Sequence, residues 1–390
     1  MKLLLSTLTL AASLLAAPAA QSNTSLKIGF LTTLSGPGAA LGQDMRDGFA
    51  LAVKHNGGQL GGLPLDLQVV DDQLSPESAR QSVDRFVKLN KVDILTGVVY
   101  SSVLLPVLPA ILASDTVYIS TNTGPADYAG AKCNRNFFVA AWQNEDIPQA
   151  MGRFATTRGY KRVAMIAANY PGGRESALGF KRQFTAPVVE EIYTKMGQLD
   201  YAAEIATLRA SRPDAVFFFL PGGMGVNFIK QFEAAGLTRE VALLAPGYSA
   251  DEDTIRGVGE PMVGVYNASH WAADLPNALN QKFVADFTTT YGRTPTMAAA
   301  QAYDTALLIE HAVRRIGGKI DDRAALRKAL REAKFESLRG PFRFNTNQYP
   351  IHTLYLRVVQ KDPSGRITNK LVGEIMPNHS DPYAAQCKLQ

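Results

Sequence analysis

The chain has 390 residues, of which 46% are hydrophobic and 19% charged, and a formal net charge of +5. That length exceeds one ordinary core and implies two domains, and the low charge content excludes a disordered or coiled-coil chain. The small positive excess comes with no Lys/Arg run and no interleaved basic-aromatic stripe, so nothing points to a nucleic-acid partner.

Lys2, the apolar run Leu3–Ala16 and the small residues Ala17-Pro18-Ala19 read as a signal peptide over residues 1–20, cut after Ala19 or Ala20. The run is too short to span a bilayer well, and no cysteine at the cut marks a lipid anchor. The mature protein is expected to be exported, soluble and periplasmic.

Leu26–Leu31 reads as a buried strand, followed by Ser35-Gly36-Pro37-Gly38 and a helix from Leu41 to His55. Leu65–Val70 alternates like a strand and leads through Asp71-Asp72 to a helix start at Ser75-Pro76, where proline's missing N–H is not needed. Asp93–Val99 is the next strand, then a helix, then the strand Val117–Ser120. The pattern restarts after Trp142. Arg162–Ala168, Val188–Thr194, Ala215–Leu220, Val241–Ala245 and Val263–Ala268 read as strands, with a helix after Gly173. Long helical patterns follow at Leu275–Tyr291, Met297–Ile316 and Asp322–Ala333. The end is β-rich: Pro341–Phe344, Thr353–Val359 and Ile367–Glu374.

This alternation predicts an α/β fold of two doubly wound lobes with parallel sheets and helices on both faces. The expected first lobe is 26–141 plus 272–335, the second 142–271 plus 336–376, with 377–390 as a C-terminal tail. A cleft between two such lobes is where a small ligand binds.

Ligands of open parallel sheets sit beyond the carboxyl ends of the strands. The first such loop offers Ser35 with its glycines, without the Lys-Ser/Thr of a nucleotide P-loop. The next two offer Tyr100, Ser101 and Ser102, and then Asn122 and Thr123. Their hydroxyls, amide and backbone N–H groups suit a carboxylate; helix capping is the competing reading. The second half offers Tyr170 with Arg174, then Gly223 after Pro221-Gly222, and then Tyr248. A lone tyrosine is more often an ordinary core or surface residue than a ligand contact.

Gly247-Tyr248-Ser249-Ala250-Asp251 lacks the closing glycine of a nucleophile elbow. No histidine is tied by spacing to a Ser or Cys nucleophile, so catalysis is not expected. Five scattered histidines and two cysteines give no metal-binding spacing, and no cofactor is called for. In an oxidising compartment Cys133 and Cys387 suggest one disulfide, two buried thiols being the alternative.

Several segments together resemble a known family. They are Ile28-Gly29-Phe30 with Ser35-Gly36-Pro37; Asn56-Gly57-Gly58 with Gly61-Gly62; Asp71-Asp72-Gln73; Ser101-Ser102; Tyr170 with Gly173-Arg174-Glu175; and Ala302-Tyr303-Asp304. In this order they resemble the leucine/isoleucine/valine type of periplasmic solute-binding protein of ABC transporters. The resemblance implies the type I periplasmic binding protein fold, with lobes joined by a three-strand hinge. It also implies closure on a ligand without chemistry, and an ABC permease in the inner membrane as partner to a monomer. The family holds a ligand carboxylate at positions matching Ser101 or Ser102 and Asn122-Thr123, with an aromatic matching Tyr170. It places a glutamate on the ligand ammonium where this chain has Gly247. Asp251 and Glu252 are nearby acids that do not match that position.

The departure at Gly247 favours a carboxylate ligand without an ammonium. Asn122-Thr123-Gly124-Pro125 through Cys133, Phe137-Phe138 and Trp142-Gln143-Asn144 resembles the branch that takes aromatic carboxylates. Tyr100, Tyr170, Tyr248, His270 and Trp271 are the rings expected to build that pocket. An amino-acid binder, or a sensing module for a signalling partner, is the alternative.

Overall fold

The computed structural model describes residues 25–389, so the expected signal peptide lies outside the described residues. The apolar run Leu26–Thr32 forms β1, buried except at Lys27. A 3-10 turn at Gly36–Gly38 leads into α1 (Ala39–His55) and the hairpin β2 (Gln59–Leu60)–β3 (Leu63–Asp71). Then come α2 (Pro76–Asp84), β4 (Ile94–Thr96), α3 (Ser101–Leu112), β5 (Val117–Ser120), α4 (Ala126–Ala129) and β6 (Phe137–Val139). The Ser75 hydroxyl accepts from Ser78 N at 3.3 Å, which caps α2 ahead of Pro76. The strands join in the order β2-β3-β1-β4-β5-β6, parallel except at β2, with Leu26 opposite Leu65 and Ile28 opposite Ile94.

After a crossing near Trp142 the chain builds a second unit: α5 (Asp146–Arg158), β7 (Val163–Ala168), α6 (Pro171–Gln183), β8 (Val188–Thr194), α7 (Ala202–Ser211), β9 (Ala215–Phe219), α8 (Gly223–Ala234), β10 (Ala242–Pro246), α9 (Glu252–Val258) and β11 (Tyr266–Ser269). It crosses back to lay α10 (Ala278–Tyr291), α11 (Met297–Arg315) and α12 (Arg323–Arg331) on the first lobe. Arg293 grips Asp44 at 2.8 Å and also reaches Asp47, both on α1. The hairpin β12 (Phe335–Ser337)–β13 (Gly340–Phe342) and the long antiparallel pair β14 (His352–Lys361)–β15 (Ile367–His379) complete the chain. The second sheet runs β15-β14-β11-β10-β9-β7-β8. Its centre, Ala215–Phe219, is wholly buried, as expected of a strand covered on both faces.

The third crossing comes later than residue 335. The β12–β13 hairpin packs on α10 and α11, and Gln348 donates through Nε2 to Phe137 O and accepts at its carbonyl from Val139 N at 3.0 Å. Residues 335–350 therefore lie with the first lobe, because β6 is an open sheet edge whose backbone groups need partners. Buried Arg339 ties this crossing to the first one, donating to Ala140 O at 2.8 Å and Ala141 O at 3.2 Å, and to Asp304 at 3.0 Å.

Cys133 and Cys387 form a disulfide that closes 254 residues. The tail is thereby fixed to the first lobe, while its Tyr383 hydroxyl accepts from Arg182 of α6 at 2.7 Å. No helix among the described residues is long and apolar enough to cross a membrane.

Candidate functional site

Between the two sheets lies a cavity with about 370 Å³ of empty space, part of it open to solvent. Its walls come from the loops after β4 and β5 on one side and after β7, β9 and β10 on the other. Tyr100 and Tyr170, each just before a helix, meet edge to face with centroids 6.1 Å apart. Phe219 lies 5.8 Å from Tyr170 and 5.1 Å from Tyr248. Trp142, in the first crossing, stacks on Tyr248 at 5.3 Å. Leu41 and Val99 complete the apolar lining.

The polar end is a network. Ser101 Oγ and Thr123 Oγ1 share a hydrogen bond. Asn144 Oδ1 accepts from Gly124 N at 2.8 Å and from Thr123 Oγ1 at 3.2 Å, while its Nδ2 donates to Ser101 Oγ at 3.2 Å. Asn122 accepts from Gln301 Nε2 at 2.6 Å and donates to Val99 O. The helices α3, α6 and α8 all start at this cleft, and none has a side-chain cap. Their N-terminal N–H groups and dipoles favour an anion. Among the described residues no acidic or basic side chain lines the cavity. Burial pushes the phenols of Tyr100 and Tyr170 above their ordinary range, so both stay neutral donors.

The lobes touch around the cavity. A Cβ on Gly222, whose φ is +63°, would stand 2.9 Å from Pro37 O, and one on Gly172 would stand 3.2 Å from Ser101 Oγ. Glycine is what allows the backbones to approach this closely.

Of the residues singled out from sequence, Tyr100, Ser101, Asn122, Thr123, Tyr170 and Tyr248 line the cavity. Four do not. Ser35 stands just before the 3-10 turn without capping it and is turned to Asp71 instead. Ser102 sits one residue further along α3 than the lining Ser101, and Gly223 packs against Pro37. His270 is fully buried behind Trp142, ring centroids 5.1 Å apart, so the indole stands in its way. Trp271 is buried elsewhere, donating to Asn280 at 2.6 Å, and Arg174 lies outside, 4.8 Å over the Tyr193 ring. Asn144, Phe219, Trp142 and Gly172 were not singled out as site residues. Trp142 and Asn144 owe their place to the crossing geometry, to which the only sequence signal is the Trp142-Gln143-Asn144 segment itself, whereas Phe219 ends β9 and Gly172 opens α6 after β7.

The acids near Gly247 are engaged elsewhere. Asp251 accepts from Met297 N at 2.6 Å and faces Arg357, and Glu252 accepts from Thr368 and Asn369. A Cβ on Gly247 would stand 2.8 Å from Met297 Sδ, 2.9 Å from Arg357 Nη2 and 3.0 Å from Ala268 O, so a side chain there requires its neighbours to shift.

Residues 25–364 match the sequence model of the family described as periplasmic binding protein. The chain belongs to the periplasmic binding protein family. This binding protein is 31% identical to the solute-binding protein of an ABC transporter from R. palustris, solved in complex with benzoate. That likeness covers 94% of this chain and all of the other, with a TM-score of 0.88. It is 26% identical to a solute-binding protein from Rhodopseudomonas palustris BisB5 solved with 3,4-dihydroxybenzoic acid, covering 92% and 99% of the chains with a TM-score of 0.86. It is also 26% identical, over 379 residues, to the Leu/Ile/Val-binding protein homolog 6 of Brucella melitensis biotype 1, covering 94% of this chain and 95% of the other. The two-lobed architecture of the binding protein is thus shared along almost its whole length.

Proposed function

We propose that this protein is the exported, periplasmic solute-binding component of an ABC importer, and that it takes a small aromatic carboxylate between its lobes without chemical change. The observation that carries the reading is the lining of the cavity: rings from both lobes, hydroxyls and helix N-termini at one end, and no acid. In this reading the solute's carboxylate accepts from Ser101, Thr123 and the first N–H groups of α3. Its ring lies among Tyr248, Phe219, Trp142 and Tyr170, where flat faces give large contact area at little entropic cost. The lobes act as a hinged monomer that docks on an inner-membrane permease when closed.

The Brucella likeness favours a second reading, an amino-acid binder. A buried ammonium without a carboxylate partner costs several kcal/mol, and the glycine at position 247 offers none. A thermal-shift panel decides between the readings. Benzoate and hydroxybenzoates are expected to raise the unfolding midpoint, and leucine, isoleucine and valine to leave it unchanged. Stabilisation by leucine with no response to any aromatic acid overturns the proposal.

A further inference from the structure

Glu175 lies one turn into α6, just outside the cavity. Its Oε1 accepts from Ala126 N at 3.1 Å, the first residue of α4 on the opposite lobe, and its Oε2 accepts from Asn144 Nδ2. Asn144 is the amide that also bonds Ser101, Thr123 and Gly124 at the polar end of the cavity. One carboxylate of the second lobe is thus fastened both to first-lobe backbone and to the group that orients the cavity hydroxyls.

Among the described residues no cation forms an ion pair with this carboxylate. The charged groups facing it are Glu145 and Asp127, and the tyrosines 170, 248 and 349 surround it as neutral phenols. Glu145 is paired with Arg182 and the Tyr383 hydroxyl, and Asp127 is paired with Lys132. Arg174, next to it in sequence, is turned away over Tyr193.

We propose that Glu175 is a positioning residue which couples closure of the lobes over an anionic solute to the uptake of a proton, so that binding tightens in mildly acidic solution. The inference rests on reading the cavity as the site of an acid. Closure brings Glu175, already beside Glu145 of its own lobe, towards Asp127 of the first lobe and near the solute's own charge; opening returns it to water. Burial pushes its carboxyl up to about 7, against the pull of the bonds from Asn144 and Ala126. A solvated glutamate titrates near 4.3. Between those values the closed form holds a proton that the open form lacks, so closure strengthens as pH falls. Above both values neither form holds the proton, and the effect vanishes.

The test is calorimetric titration of the full mature chain with benzoate and 4-hydroxybenzoate, in buffers of different ionisation enthalpy, across about pH 5.5 to 8.5. The expected result is uptake of most of one proton near pH 6 and an affinity about tenfold higher at pH 6 than at pH 8. In Glu175→Gln both the uptake and the pH slope disappear, whatever affinity the variant keeps, because an amide does not titrate in this range. Binding without proton uptake, or equal uptake in Glu175→Gln, overturns the coupling alone. Failure of both acids to bind removes the reading it rests on and the coupling with it. The proton count of the unaltered protein decides the matter even if the variant folds poorly.

Discussion

Tyr100 and Tyr170 come from opposite lobes and meet edge to face, ring centroids 6.1 Å apart and planes inclined at 67°. Each is the residue just before a helix, α3 or α6, so one contact joins the two helix N-termini that face the cavity. An aromatic pair of this kind contributes about 0.5–1.5 kcal/mol beyond its area. Tyr170→Ala is expected to weaken binding of the acid by at least about tenfold, through the lost pair and the lost wall together. Tyr170→Phe is expected to stay within about threefold of the parent, since the ring is kept. Calorimetric affinities of the two variants check this, and equal losses in both would assign the effect to the hydroxyl instead.

Ser101 and Thr123 are the hydroxyls placed to meet a carboxylate. A hydrogen bond to a charged group is worth about 1.5–3 kcal/mol, so Ser101→Ala and Thr123→Ala are each expected to cost about 10–100-fold in affinity. Ser102→Ala serves as the control, because Ser102 does not line the cavity. An unchanged affinity in Ser101→Ala, or an equal loss in Ser102→Ala, would contradict the assigned polar end.

Gly172 separates stability from binding. It lies in the first turn of α6, where alanine is favoured over glycine by about 0.5–1 kcal/mol. A Cβ there would stand 2.9 Å from the Tyr170 ring and 3.2 Å from Ser101 Oγ. Gly172→Ala is therefore expected to leave the unfolding midpoint of the unliganded protein unchanged or raised, and to weaken solute binding. Thermal denaturation and titration of the same sample read the two signs.

The Cys133–Cys387 bond closes a loop of 254 residues, for which chain entropy gives about 5.5 kcal/mol in the ideal case. Replacing both cysteines by serine is expected to lower stability in denaturant titrations by a large part of that amount. Added reductant should then no longer affect the variant, while it still destabilises the parent.

Asp146 is buried at the start of α5, 2.8 Å from His379 and 3.5 Å from His352. Despite burial, the hydrogen bonds and charge of the two histidines hold its carboxyl down at about 2, while the same contacts raise His379. The lowered Asp146 adds stability that is present above its unfolded value, near 3.8, and lost as pH falls through about 2. The raised His379 adds stability that is full below about 6.5 and lost as pH climbs through its folded value. His379→Gln is expected to flatten the decline of stability with rising pH on the alkaline side of 6.5. Urea titrations at a series of pH values check it, and an unchanged slope would contradict the pairing.

The strands with long apolar or β-branched runs, such as Leu26–Thr32 and Ala215–Phe219, are legible in the sequence because burial on both faces demands such runs. Phe137–Val139 is not. It is three residues long, and its edge is covered by Gln348, more than 200 residues away. The same distance effect governs the site. Tyr100, Ser101, Asn122, Thr123, Tyr170 and Tyr248 follow strands and are found by that rule alone. Asn144 and Trp142 belong to a crossing segment, whose position depends on how the lobes meet. His270 follows a strand too, yet Trp142 fills the space in front of it. Position after a strand locates the right end of the sheet, but packing decides which side chain reaches the cavity.

The central claim is that the lobes enclose an aromatic acid with its carboxylate on the first lobe. A crystal structure of the mature protein grown with benzoate tests it most directly. The account predicts one benzoate in the interlobe cavity, its carboxylate within hydrogen-bond distance of Ser101 and Thr123 and its ring against Tyr248 and Trp142. A benzoate bound elsewhere, or a cavity found holding an amino acid with its ammonium on a carboxylate, would contradict it.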